Sequence, residues 1–484
     1  MSGIESSMLT SNDFLTRMQT RRPDVYMWGK KVDVPIDHPQ IRPNFNATAV
    51  AYDLPLESRY EDLMTVVSPE TGKRVNRFSS LYRSTDDLLN KVEMIRTLVT
   101  ETGAPCINRC VGSDALQTIG ITTYEVDQHF ETPYHQRFLD YMKFYQENDL
   151  TAAGAVTDVK GHRSLRPHQQ ADPDLYTRIV EKRKDGIVVR GAKCSITSAV
   201  VSDEIVVVPN RGLTEKDSAY AVSFALPIDT KGMTFLNVAK APARETKMEY
   251  PVSRRFAFSD AMIVFDDVFV PWDRVFLCGE WQFGGKMGAL FGHFHRLSHC
   301  GCIPGRSKLI VGVASLMAKF NGINDKAHVR SKLVDLISHG EMVYACGIAA
   351  SVKGKKTPSG IYRPNVLYSN AGKLFESEHT TSDVGLLADI CGGMLLTMPS
   401  EADYFSPETG PFMKKYLSAA VDAEERIKLF HLAADLCNTR FGSLMGLGEV
   451  MGAGPTEAQR LAIYSDYDFS GPEALAKRLA GIKV

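Results

Sequence analysis

Between residues 186 and 271 the chain carries five short runs of β-branched and aromatic residues, GIVVRGAKCSIT, EIVVVP, AVSFALPI, MTFLNV and AMIVFDDVFVP, separated by Gly, Pro and Asp. Runs of that length and make-up, bounded by turn residues, are strands. On either side the apolar residues recur at three- and four-residue intervals, the period of a helix. This helical, β, helical order predicts an α+β chain with a helical domain over 1–150, a small β barrel or sandwich over 151–280 and a helical bundle over 281–484. A length of 484 residues fits two to three domains. Near the start, Ser11 or Asn12 is placed to cap a helix carrying Phe14, Leu15 and Met18, and segments 86–100 and 136–148 continue the helical period. The prolines at 35, 39 and 43 predict an extended connection. Segments 305–320, 329–351 and 423–438 read as helices, and 354–363 as a surface loop. A β domain between two helical ones leaves crevices at the junctions where an elongated cofactor can lie.

The charge balance narrows the partners. Lys and Arg total 56 against 57 Asp and Glu, a net charge of −1, so there is no basic footprint for nucleic acid and a small-molecule ligand is expected. The first residues show no basic stretch followed by an apolar core, and the apolar windows 309–317 and 385–398 are too short, or interrupted by Asp389, to span a bilayer. A cytoplasmic location without a membrane role is expected. Nine cysteines without a secretory signal point to a reducing compartment, where they are buried, catalytic or metal-bound rather than paired.

In HFHRLSHCGCIP, residues 293–304, His295, His299 and Cys302 stand four and three apart and share one helical stripe. Upstream, Cys106 and Cys110 in PCINRCVG are also four apart. Cys106, Cys110, His295 and Cys302 thus make a three-Cys, one-His set able to converge on one metal. Spacing alone does not separate structural zinc from an iron–sulfur cluster, and single cysteines are commonly small buried hydrophobes.

The ordered motifs VYMWGKKV, CINRCVGSDAL, TDVKGHRSL, DGIVVRGAK, AMIVFDDVFVPWDR, the 293–304 stretch, DICGGMLLTMPSEADY and GAGPTEAQR cover almost the whole chain. Together they resemble the 4-hydroxyphenylacetate 3-hydroxylase flavoprotein family, which is related to the acyl-CoA dehydrogenase fold, in its 4-hydroxybutyryl-CoA dehydratase/vinylacetyl-CoA Δ-isomerase branch. The resemblance implies a [4Fe-4S] cluster on Cys106, Cys110, His295 and Cys302. It also implies FAD lined by Thr157, Lys160, Arg163 and Thr197, whose hydroxyls and cations suit the polar edge and phosphates of a flavin. Gly392 and Gly393 match a glycine pair that meets the adenosine part of a flavin bound by a neighbouring subunit, so a homotetramer is expected. Glu449 matches a carboxylate that reaches the active site, followed by a turn over 452–455 whose backbone can approach the substrate. Four positions depart from the branch: His299 stands for a tyrosine, Ile303 for a lysine, Asn108 for a glutamine and Asp260 for a glutamate. The two shortened side chains leave room for a bulkier acyl chain and point to a substrate other than 4-hydroxybutyryl-CoA.

The implied reaction is a radical elimination of water from a hydroxyacyl-CoA, with or without Δ-isomerase activity. A base takes an α proton, flavin accepts one electron, and the hydroxyl leaves with cluster iron acting as a Lewis acid. His295 is then the candidate α base or acid, and His299, Glu449 and Asp260 are candidates for positioning or protonating the leaving hydroxyl. Two rival functions stand beside this one. The first is a reduced-flavin-dependent aromatic monooxygenase without iron, and the second is a non-catalytic scaffold stabilised by zinc.

Overall fold

Each of the five apolar runs folds as a strand. The computed structural model describes residues 5–104 and 108–482. The two main sheets contain β1 (Asp24–Met27), β2 (Lys30–Val32), β3 (Ala152–Ala155), β4 (Arg178–Lys182), β5 (Gly186–Thr197), β6 (Glu204–Val207), β7 (Val222–Pro227), β8 (Met233–Ala239), β9 (Ser259–Pro271) and β10 (Val275–Cys278). One sheet has the order β2-β1-β8-β9-β5-β4 and the other β10-β7-β6-β3. Neighbours are antiparallel except β1 with β8 and β3 with β6. Burial alternates along β9 as far as Phe265, where a bulge shifts the register and Arg190 clamps Asp267 at 2.8 and 2.9 Å. The sheets face one another through Phe224 and Phe265, whose rings meet edge-on at 5.7 Å.

β1 and β2 arise in a segment expected to be mainly helical. VYMWGKKV folds as a hairpin whose turn residues Trp28 and Gly29 both have positive φ, 56° and 74°, and β1 then pairs with β8 about two hundred positions later. Strands of four and three residues carry too few alternations to register in the sequence. The first helix, Ser11–Thr20, is capped by Thr10 rather than by Ser11 or Asn12. Asp13 N–H donates to Thr10 Oγ1 at 3.2 Å and Thr10 N–H donates to the Asp13 carboxylate at 2.9 Å, a reciprocal box. Pro43 opens the helix Arg42–Asp53 instead of prolonging an extended run, because a first-turn proline sacrifices no helical hydrogen bond.

Six helices position the candidate site: α1 (Thr85–Thr102), α2 (Asn108–Phe130), α3 (Trp281–Phe320), α4 (Ala327–Val352), α5 (Val366–Cys391) and α6 (Ala423–Cys437). The forty-residue α3 is the axis, and each of the other five packs on it. It runs through Pro304, which has no N–H for the carbonyl of Cys300. Gly301 and Gly305 let α1 approach: added Cβ atoms would stand 2.6 Å from the Val92 carbonyl oxygen and 2.9 Å from that of Arg96. α4 is long and apolar enough to cross a membrane by length and composition, a longer apolar stretch than the windows singled out in the sequence. Its Val329, Leu336, Val343 and Ala350 pack inward, whereas Val334, Ile337 and Met342 are exposed.

α2 lies so close to β3 that a Cβ on Gly112 would overlap the carbonyl oxygen of Ala152. Gly112→Ala is expected to push the helix off the sheet at a cost of about 1–3 kcal/mol, read as a lowered Tm. Glu204 on β6 is buried beside Arg274 Nη1 at 2.6 Å, and burial outweighs that guanidinium and raises the carboxyl to about 7. A carboxyl raised in the fold contributes stability at low pH that is lost as pH rises through about 7. Glu204→Gln is therefore expected to lose less stability than the wild type between about pH 5 and about pH 8, as measured by denaturant titration.

Candidate functional site

Asp114 on α2 and Lys91 on α1 are completely buried and paired with each other. The other oxygen of Asp114 accepts from His295 Nδ1 at 2.9 Å and from Ser298 Oγ at 2.8 Å, both on α3. Burial alone would raise this carboxyl, but Lys91 and His295 overrule it and hold it below the ordinary range. The bond keeps a proton on His295 Nδ1 and leaves Nε2 with its lone pair to offer. Phe291 stacks on the imidazole at 5.3 Å, and His299 meets it edge-on at 5.1 Å.

His299 opens a second polar group one turn further along α3. Its Nδ1 lies 3.2 Å from Glu449 Oε2 and 3.9 Å from Glu376 Oε2. Burial draws His299 down to about 4 against the opposing pull of Glu449, so the ring is neutral near pH 7. Burial would raise Glu449, but the bond to His299, with Arg306 and Lys373 nearby, holds it below its usual value. Burial pushes Glu376 upward against Lys373. The predicted turn over 452–455 packs on this group. Ala453 and Gly454 take φ of 55° and 95°, and Arg296 reaches from α3 to the Ala453 carbonyl at 3.2 Å and to Asn370 Oδ1 at 2.6 Å. A Cβ on Gly452 would stand 2.9 Å from His299 Cε1 and 3.3 Å from its Nε2, so this glycine leaves that side of the ring clear.

Of the predicted metal ligands, Cys110 lies one turn before Asp114 on α2, and Cys302 lies two turns after His295 on α3. The Asp114 bond thus draws together the two helices that carry them. Both cysteines are buried. Burial, reinforced by Asp114, raises the Cys110 thiol to about 12, and Cys302 Sγ donates to the His299 carbonyl at 3.7 Å. Cys106 and the side chain of Asn108 lie outside the described residues. A histidine backed by a buried carboxylate, with buried thiols on both helices, fits the donor set of an iron–sulfur or zinc centre. Ile303 is buried and has no polar atom to offer.

The flavin candidates fall in two places. Cys194 N–H of β5 donates to the Thr157 carbonyl at 2.9 Å, and Thr197, at the end of the same strand, donates to Asp260 Oδ1 at 2.8 Å. Asp260 pairs on its other side with Lys240 at 3.2 Å, and its bonds do not reach the His295–Glu449 group. Lys160 and Arg163 are exposed; Arg163, Ser164, Arg166 and Arg211 line a cleft of about 360 Å³. Gly392 ends α5 with φ 75°, and a Cβ on either Gly392 or Gly393 would meet nothing within 4 Å.

The motif reading missed Lys91, Asp114, Lys373 and Glu376. On α5, Asn370, Lys373, Glu376, Ser377, Thr380 and Asp383 recur at helical spacing, and every one is buried. Such a stripe resembles a solvent face until the packing against α3 is known. Asp114→Ala would leave the Lys91 ammonium buried without its carboxylate, and a loss of about 3–5 kcal/mol in unfolding free energy is expected. Replacing the pair by Lys91→Met with Asp114→Leu should recover most of that loss in the same denaturant titration.

The 4-hydroxyphenylacetate 3-hydroxylase N-terminal family model matches residues 10–277, and the C-terminal one matches 285–481. The chain is 41% identical to the 4-hydroxybutyryl-CoA dehydratase/vinylacetyl-CoA-Δ-isomerase of Clostridium aminobutyricum, over 98% of this chain and 100% of that one. It is 28% identical to the 4-hydroxyphenylacetate 3-monooxygenase oxygenase component of Thermus thermophilus, over 95% and 94%. Among solved structures it superposes on an oxygen-tolerant archaeal 4-hydroxybutyryl-CoA dehydratase from N. maritimus with a TM-score of 0.95 at 36% identity, covering 100% and 96%. An oxygenase component of 4-hydroxyphenylacetate 3-monooxygenase complexed with FAD superposes with a TM-score of 0.89 at 25% identity, covering 97% and 98%. With both halves of the family pattern matched across nearly its whole length, the chain belongs to the 4-hydroxyphenylacetate 3-hydroxylase family.

Proposed function

We propose that the chain is a dehydratase acting on a hydroxyacyl-CoA thioester, with FAD and a [4Fe-4S] cluster as cofactors. The observation that carries this reading is the pair of adjoining groups on α3. One is a histidine whose Nδ1 is fixed by a buried carboxylate, and the other is a neutral histidine facing an ionised one. The full-length match to a 4-hydroxybutyryl-CoA dehydratase supports it. When bound, FAD supplies electron-accepting chemistry and the cluster a Lewis acid.

Cys106, Cys110, His295 through Nε2, and Cys302 would hold the cluster. Thr157, Lys160, Arg163 and Thr197 would line the flavin, with Gly392 and Gly393 of a neighbouring subunit. With Nδ1 bonded to Asp114, His295 has one nitrogen left, which serves a metal or a proton but not both at once. Proton handling at the substrate therefore falls to His299, which as a neutral ring takes up the substrate's proton at Nε2 before passing it to the leaving hydroxyl. The Glu449 carboxylate favours a proton on its Nδ1, and Nε2 faces the space that Gly452 leaves. Asp260, bonded to Thr197, is a positioning group on the flavin side. A homotetramer would cover the exposed Val334, Ile337 and Met342 of α4.

Anaerobic purification with a visible spectrum, metal analysis and flavin extraction tests the cofactors; about four irons and one FAD per chain are expected. The protein should eliminate water from members of a hydroxyacyl-CoA panel, with acyl chains bulkier than 4-hydroxybutyryl preferred. Flavin without iron, together with phenol hydroxylation when a reductase supplies reduced flavin, would instead make it a monooxygenase. A colourless protein with stoichiometric zinc would make it a scaffold.

A further inference from the structure

We propose that Lys373 and Glu376 are positioning residues of this centre: Lys373 holds the backbone of Glu449 so that its carboxylate faces His299, and Glu376 holds Lys373. The inference rests on the reading that His299 and Glu449 take part in catalysis.

Lys373 is wholly enclosed: its ammonium donates to Ser377 Oγ at 2.5 Å and to the main-chain carbonyl of Glu449 at 2.7 Å, and it pairs by charge with Glu376, whose Oε2 lies 2.6 Å away. That carbonyl belongs to Glu449 itself, in a helix that ends at Met451, where carbonyls have no partner within the helix. The segment leading to it, Leu444–Gly448, is a π-helical turn, a local irregularity that needs anchoring from outside. Arg296 anchors the following residues through Ala453, so α3 and α5 hold the turn from two sides.

Ligand-type atoms of His299, Glu376 and Glu449 lie within 4.8 Å of one another, as they would around a divalent cation. The Lys373 ammonium already provides the positive charge there. Neither carboxylate oxygen of Glu376 has a hydrogen-bond partner among the described residues, so Oε2 meets Lys373 as an ion pair only. Apolar side chains would fill this interior at lower desolvation cost than a buried ion pair whose carboxylate makes no hydrogen bond, so stability alone does not account for it.

The test compares holoenzyme variants Lys373→Met and Glu376→Gln, each alone and combined with Glu449→Gln, on the hydroxyacyl-CoA that the wild type turns over. Lys373→Met is expected to lower kcat about tenfold to a hundredfold, as a displaced active-site group does, with KM changed less than about threefold. Flavin and iron content per chain should stay unchanged. In the Glu449→Gln background it should cost almost nothing further, because the group it positions is already disabled. Glu376→Gln should lower kcat in the same direction and likewise lose its effect beside Glu449→Gln. It carries the test if Lys373→Met does not fold. Unchanged kcat, or losses that multiply with that of Glu449→Gln, would overturn the positioning role. A wild type inactive on every hydroxyacyl-CoA would overturn the dehydratase reading instead.

Discussion

A single buried carboxylate, that of Asp114, ties the centre of the molecule together. It neutralises Lys91 on α1, orients His295 and receives Ser298, so three helices converge on one charge that water cannot reach. In a low-dielectric interior such a group is tolerable only when its oxygens are paired and hydrogen-bonded, and here they are. The cost of breaking the arrangement keeps α1, α2 and α3 in one register. That register sets Cys110 and Cys302 on the two helices that meet at the carboxylate and aims His295 Nε2 away from it.

The second polar group depends on the first through α3. His299 shares a stripe with His295 and touches its ring, so the orientation imposed by Asp114 passes along the helix by direct packing. On the other side α5 answers with polar residues at matching intervals. Asn370 meets Arg296, Thr380 meets Arg306 at 2.9 Å, and Glu376 faces His299. Close packing of α3 with α1 relies on Gly301 and Gly305, whose missing side chains let backbone approach backbone. Polar side chains that would be solvated on a looser bundle are thereby enclosed, and their proton affinities move: burial draws His299 down and Glu376 up, whereas His299, Arg306 and Lys373 hold Glu449 down against its burial.

Much of this was legible from residue order. The strands over 186–271 have long alternations and bounding turn residues, and β5 runs from Gly186 to Thr197 as its motif suggested. The helices after 281 are long enough for their period to be unmistakable. The stripe of His295, His299 and Cys302 is a helical stripe. What escaped were short or non-local features. The four-residue β1 exists because β8 offers it an edge. Thr10 rather than Ser11 caps the first helix, because Asp13 closes a reciprocal pair with Thr10. Asp114 in CINRCVGSDAL looks like one more surface acid until Lys91 and His295, drawn from distant segments, are placed beside it.

The sequence by itself determined the α+β class and the shared helical stripe of His295, His299 and Cys302, because these follow from local period and residue type; the glycines at which helices approach closely, Gly112, Gly301 and Gly305, came from the packing. Only the tertiary structure decided which charges are buried and which partners they find. Lys373 and Glu376 stand three apart on a polar stripe, and nothing in that spacing distinguishes a solvated face from an enclosed one. Whether a carboxylate is screened by water or must be matched by a particular ammonium is a property of the surroundings, which come from elements far away in the chain.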